Sequence, residues 1–299
     1  MPECGRPRRA LRCGMDAPPP GYLAATVERR LDVTDELAVF WLRSPERLAF
    51  RPGQYVTLAA PGDAGRPVKR AYSVVSAPHE DLVELVVELV DGGALTPGLW
   101  RLRAGDEVWV RKKVVGQFLL DAERTRHVMA CTVTGIAPFL SMIRAHAAAR
   151  ESGADVPDHQ FLVVHGASRS VEHGPYRDEL ALCAGEGWVT CVPTVSRPWE
   201  DPEWAGEVGR VEDVLRKHLD RLGWPADEVA GYACGNPNMI ETALGILRRA
   251  GVDPAHLHEE KYFTVSEPTP EAGPTPPTAP VASGRGPGSI TLKAVPRTP

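Results

Sequence analysis

Apolar and polar positions divide the 299-residue chain into two textures between flanks that lack either. From Gly21 to about Leu120, short runs alternate with a period of two: "YLAATVERRLDV", "LAVFWLRS", "GQYVTLAAP", "KRAYSVVSAP" and "LVELVVELVDGG". Each breaks at Pro, Gly, Asp or Ser. Such alternation predicts half-buried strands, and their close spacing predicts an antiparallel β-barrel or sandwich. From about Arg126 the apolar runs become continuous: "HVMAC", "FLVVHG", "WVTCVPTV" and "VAGYACG". These read as strands buried on both faces. Helical patterns lie between and after them: "PFLSMIRAHAAARES", "YRDELALCAG", "VEDVLRKHLDRLG" and "PNMIETALGILRRAG". Strand–helix alternation predicts an α/β domain with a doubly wound parallel sheet. Ligands in such sheets bind beyond the carboxyl ends of the strands, where Val133, Ser168, Ser196 and Gly235 would cluster.

The flanks carry no core pattern. Residues 1–20 are rich in Pro and Arg, and residues 267–299 in Pro, Gly and Thr. Neither stretch has enough large apolar side chains to offset the entropy of ordering, so both are expected to be disordered. The expected organisation is a leader (1–20), a β-barrel domain (21–122), an α/β domain (123–266) and a Pro-rich tail (267–299). The leader lacks the continuous apolar region of a secretory signal.

Composition narrows the function classes. The formal net charge is −5 and no Lys/Arg run stands out, which argues against a nucleic-acid partner. No apolar stretch approaches the ~20 residues of a membrane helix. The six cysteines form no C-x-x-C pair, so neither iron–sulfur nor zinc spacing is present, and no metal site is expected. Reduced thiols in a cytoplasmic, monomeric protein are the expectation. His256 and His258 read as a surface pair.

Four motifs carry the chemistry, in this order: R-A-Y-S (Arg70, Ala71, Tyr72, Ser73), "GGALTPGLWRLRAGDEV", "TVTGIAP" and "CGNPNM". An Arg two residues from an aromatic suits a ligand with phosphate at one end and a flat ring at the other. A Gly-containing turn that enters a helix through Pro138 suits phosphate as well. Alone, three of them have a plainer reading: cross-strand packing for Arg70 and Tyr72, a hairpin turn for Gly92–Gly93, a packed thiol for Cys234.

Together the four resemble the ferredoxin–NADP reductase family, bacterial type, over about Gly21 to Phe263. The resemblance implies an FAD-binding barrel followed by an NADP-binding α/β domain. It implies hydride exchange between NADP(H) and FAD, and single-electron exchange with a separate ferredoxin or flavodoxin. Within FAD's site it places Arg70 on the pyrophosphate, Tyr72 on the isoalloxazine and Ser73 near the hydride-accepting flavin nitrogen. Val86, Val87 and Glu88 would lie beside the cofactor, and Gly93, Leu95 and Thr96 would form a second pyrophosphate loop. In the NADP half, Thr132, Val133, Thr134 and Gly135 would form the turn near the pyrophosphate. Cys234 would sit by the nicotinamide, with Gly235, Asn236 and Met239 opening the next helix. Arg169, Arg197 and Arg210 would supply charge for the 2′-phosphate. Tyr262 and Phe263 would cover the flavin or its adenine. Ser73, Tyr72 and Cys234 are the candidate catalytic residues.

Two other functions stay open. The partner could be an oxygenase or free flavin. In a different class, the chain could be an FAD-binding electron-transfer or sensing module that does not use NADP. Val133 bears on this, because the family's turn reads T-G-T-G and this chain reads T-V-T-G. A β-branched residue is costly there if φ is positive and merely bulky if φ is negative. The expectation is the milder case, a negative φ and a working turn.

Overall fold

The computed structural model describes residues 17–62 and 66–261. Six strands make the first sheet: β1 (Tyr22–Asp32), β2 (Leu37–Arg43), β3 (Tyr55–Ala60), β4 (Val68–Ser73), β5 (Val83–Glu88) and β6 (Glu107–Arg111). Its order is β4-β3-β6-β1-β2-β5, with every pairing antiparallel. The period-two alternation explains it. Leu23, Ala25 and Val27 of β1 point inward with Phe40, Leu42, Val56, Leu58, Leu85 and Val108, and the residues between them face outward. The two edge strands approach each other where Val75 N–H donates to the Glu84 carbonyl at 2.9 Å. This near-barrel therefore has its seam between β4 and β5, the strands that carry Arg70–Ser73 and Val86–Glu88.

The second sheet is parallel, with the order β10-β9-β8-β7-β11-β12. Its strands are β7 (Arg126–Thr132), β8 (Gln160–Ala167), β9 (Val189–Val195), β10 (Glu207–Val208), β11 (Val229–Gly235) and β12 (Leu257–Lys261). The short helix α1 (Thr96–Leu99) belongs to the first half. The connecting helices α2 (Ala137–Glu151), α3 (Tyr176–Ala184), α4 (Val211–Leu222) and α5 (Pro237–Arg249) cover the parallel sheet. The chain winds outward from β7 through β8 and β9, then returns to the other side of β7 with β11. The crevice between the ends of β7 and β11 is thus a topological switch point, where open α/β sheets bind ligands.

The helix that follows β11 starts as its sequence suggests. The Asn236 side chain caps α5 by accepting from Asn238 N–H at 2.9 Å and Met239 N–H at 3.4 Å. Pro237 takes the first helical position, where no N–H is needed. α4 closes on Gly223 in the left-handed region (φ 61°).

One core face joins the two sheets. Val39 and Val86, register partners on the outer face of the first sheet, are buried with Leu140, Phe139, Met129 and Phe161 of the second half. Ser141 of α2 donates to the Ser76 carbonyl at 2.8 Å across the same boundary. No described helix is long and apolar enough to cross a membrane.

Candidate functional site

A cleft of about 520 Å³ opens at the carboxyl ends of β7, β8, β9 and β11. Thr132, Val133, Thr134, Gly235, Asn236 and Met239 line it, as do Arg197, Arg210 and Glu88. Ser168 and Ser196 complete the strand-end cluster expected from the alternating pattern. Asn238 of the "CGNPNM" motif also lines it, as do Gly166 and Glu212, which belong to none of the four motifs.

The floor of the cleft is built by backbone-to-backbone contact. Thr132 ends β7 and its Oγ1 accepts from Asn236 N–H at 3.1 Å. A Cβ on Gly235 would overlap that same hydroxyl oxygen, and one on Gly135 would overlap the Cys234 carbonyl. Gly235 has φ 124°, a conformation that L side chains rarely adopt. Both glycines are therefore required by the close approach of the two turns. The small residues and the two arginines fit a nucleotide that must come near backbone and balance phosphate charge.

Val133 corrects an expectation. Its φ is +41°, and among the described residues it is the one non-glycine with positive φ. The left-handed region costs an L residue about 1–2 kcal/mol, with β-branching adding to it. The positive-φ case holds, not the negative φ expected. The side chain offsets part of that cost by packing on the core shared by the two sheets.

The three arginines separate. Arg197 and Arg210 line the cleft, whereas Arg169 is not among its lining residues. Arg169 pairs with Glu172 at 3.0 Å and approaches Glu200 at 3.9 Å. Arg197 lies 3.6 Å from Glu200, an exposed pair of small worth. Burial, then the nearby Glu172 and Glu36, raise the Glu88 carboxyl above its ordinary value.

On the barrel, Arg70–Ser73 and Val86–Glu88 occupy the two edge strands, which present backbone groups on one side, and Gly93, Leu95 and Thr96 lie in the loop after β5 and at the start of α1. Arg70 is exposed and donates to the Lys69 carbonyl at 2.8 Å. Tyr72 packs partly on the barrel core, and burial pushes its phenol up to about 12 while Arg70 opposes the shift. Val87 faces the barrel core and Val86 the shared core. Gly93 allows a tight turn, since its Cβ would crowd the Val90 carbonyl. Thr96 closes that loop by donating to the Val90 carbonyl at 3.2 Å and accepting from Val90 N–H at 3.1 Å. Its hydroxyl thus serves the loop, and Leu95 beside it is buried.

Strand alternation turns Ser73 away from Tyr72 and out of the barrel, and the structure gives that hydroxyl a partner on the other sheet. Ser73 Oγ donates to Glu260 Oε2 at 2.6 Å, across 187 positions of sequence. Glu260 lies on β12 as the register partner of Cys234, whose side chain is fully buried at the end of β11. The Ser73–Glu260 hydrogen bond therefore joins the barrel strand β4 to β12, the strand paired with Cys234's. Burial raises the Glu260 carboxyl above its ordinary value, and the Ser73 hydrogen bond opposes the rise. Sequence reading missed Glu260. Its one signal was its place two residues before the aromatic of "EEKYF". Tyr262 and Phe263 lie outside the described residues.

Family models match both halves: an oxidoreductase FAD-binding domain over residues 24–118 and an oxidoreductase NAD-binding domain over residues 129–244. The chain is 30% identical over 253 residues to a flavodoxin/ferredoxin–NADP reductase of Rhodobacter capsulatus, covering 82% of this chain and 92% of that one. It is 29% identical over 246 residues to the reductase component of a phenol 2-monooxygenase from Pseudomonas sp. (strain CF600), covering 81% of this chain but 65% of that one. In three dimensions it resembles a ferredoxin NADP+ reductase from Neisseria gonorrhoeae with bound FAD and NADP, at a TM-score of 0.69 and 24% identity, over 81% of this chain and 99% of the other.

Proposed function

The chain belongs to the ferredoxin–NADP reductase family of FAD- and NAD(P)-binding oxidoreductases, and on that premise we propose that it exchanges hydride between NADP(H) and FAD and single electrons with a ferredoxin or flavodoxin. When bound, FAD supplies the link between a two-electron donor and a one-electron acceptor. The chain's own residues bind, orient and screen. The observation that carries the reading is the Ser73–Glu260 hydrogen bond at 2.6 Å, which ties the flavin-side strand to the strand beside Cys234.

In this reading Arg70 balances the FAD pyrophosphate and Tyr72 supplies an apolar face for the ring. Ser73 presents a hydroxyl whose orientation is held by Glu260. Cys234, at the end of a fully buried strand, shapes the contact surface for the nicotinamide and needs no thiolate. The turns at Thr132–Gly135 and Gly235–Asn236 hold the pyrophosphate of NADP, and Arg197 and Arg210 favour NADP over NAD. Arg169, held by two carboxylates, contributes least.

A second reading keeps the same site and changes the acceptor. Similarity to an oxygenase reductase component favours an oxygenase partner. Both readings place the protein in the cytoplasm.

The experiment is direct. Protein reconstituted with FAD is expected to bleach in the flavin band on anaerobic addition of NADPH, then to reduce a purified ferredoxin or flavodoxin. A yellow protein that neither NADPH nor NADH bleaches would overturn the reductase reading. Bleaching by NADPH with electrons passed only to an oxygenase would select the second reading.

A further inference from the structure

Val133 holds a left-handed conformation that its own side chain disfavours. Something in the fold must keep it there. The Val133 carbonyl oxygen lies 3.0 Å from Nε2 of His165. His165 belongs to β8, the neighbour of β7, and pairs in register with Cys131 just before the turn. Its ring is 1% exposed. His173 packs edge-on against it, with centroids 4.7 Å apart, and Trp204 stacks on His173 at 5.8 Å and 11°. The ring is therefore caged from behind.

Resting on the NADP reading of the cleft, we propose that His165 is a positioning residue: it fixes the Val133–Thr134 peptide so that the Thr134 N–H faces the nucleotide pyrophosphate. Burial, with His173 adding to it, holds the His165 ring's value down to about 3, so the imidazole is neutral and carries one proton. Facing a carbonyl, Nε2 must be the donor. In a trans peptide the C=O and the following N–H point in opposite directions. Tying the carbonyl down to His165 thus turns the Thr134 N–H away from β8, on a turn whose Thr132, Val133 and Thr134 all line the cleft. A T-G-T-G turn reaches positive φ without help. A T-V-T-G turn has the histidine bond to hold it.

The test compares His165→Leu, which removes the donor at similar volume, with His165→Gln, whose amide N–H reaches a similar place. FAD-loaded protein is titrated with NADP+ and, without NADP+, is also unfolded thermally, alone and in a Val133→Gly background. Expected is about a tenfold loss of NADP+ affinity in H165L with FAD content unchanged. H165Q should return to within about threefold of wild type. In unfolding, Val133→Gly should recover part of the loss caused by H165L, a coupling between the two sites. If H165L does not fold, His165→Asn, whose amide is too short to reach the carbonyl, takes its place.

Unchanged NADP+ affinity in the donor-less variant would overturn the proposal. So would equal loss in H165L and H165Q, or strict additivity with Val133→Gly. If the wild type itself binds no NADP+, the NADP reading falls. The unfolding cycle then decides the His165 hold by itself: coupling upholds it and additivity overturns it.

Discussion

Arg144 Nη1 of α2 lies 2.7 Å from a carboxylate oxygen of Glu84 on β5, a charge pair that crosses the boundary between the two sheets. Glu84 is 3% exposed and also accepts from the Tyr176 hydroxyl at 3.0 Å. Glu179 takes the other edge of the guanidinium, at 2.6 and 2.8 Å. Removing the cation would leave Glu84 buried with Tyr176 as its remaining partner. Arg144→Met is therefore expected to lower unfolding stability by about 3–5 kcal/mol, read by urea denaturation. A loss under about 1 kcal/mol would show that water reaches the pair.

Ser73→Ala removes the hydrogen bond that opposes the rise of the Glu260 carboxyl. The carboxyl should then titrate at higher pH. Stopped-flow reduction of the FAD-loaded variant by NADPH is expected to be slower by about 10²-fold. Its pH–rate profile should move toward alkaline pH. A slower rate with an unmoved profile would confine Ser73 to packing.

Val133 inverts a common order. In helices and strands, Ala is more stable than Gly. At φ +41° the order should reverse, because Gly enters that region freely and Ala does not. Val133→Gly should exceed Val133→Ala by about 1 kcal/mol in chemical denaturation. The relief should also lower the KM for NADPH, and an unchanged KM would separate the strain from binding.

Arg197 and Arg169 should part company. Arg197→Ala is expected to weaken NADPH by about tenfold or more while leaving NADH nearly unchanged, because the 2′-phosphate alone needs the lost charge. Arg169→Ala should change the NADPH/NADH ratio by less than about twofold. Equal losses for both nucleotides would remove Arg197 from the phosphate.

Acid should destabilise the fold through buried histidines. His127 Nε2 lies 2.8 Å from His159 Nδ1, and the His127 ring stacks on Phe161. Burial, then His159, hold His127 down to about 3; burial, then His159, hold His146 to about 4. These values lie below the ordinary 6.5, so the unfolded chain binds protons first as pH falls. The stabilisation is complete above about pH 6.5 and is lost as pH drops toward 4 and then 3. Tm should fall steadily between pH 7 and 5. His146→Phe, which replaces a ring whose buried Nε2 has no hydrogen-bond partner, should flatten that decline.

Much of this site was legible along the chain because local pattern determines local structure. Alternation placed the barrel strands, continuous apolar runs placed the parallel strands, and strand ends collected Val133, Ser168, Ser196 and Gly235 into one cleft. Asn236 announced its helix because capping depends on neighbours two and three residues away. What the tertiary structure decided are relationships between distant segments. Ser73 meets Glu260 across 187 positions, and nothing in either motif names the other. Arg169 reads like Arg197 in sequence, yet it pairs with Glu172 of its own turn and approaches Glu200 of another, and it does not line the cleft. The sign of φ at Val133 was undetermined for the same reason. Residue type sets the energy of each backbone region, but a contact from the adjacent strand, His165 on the Val133 carbonyl, determines which region is occupied.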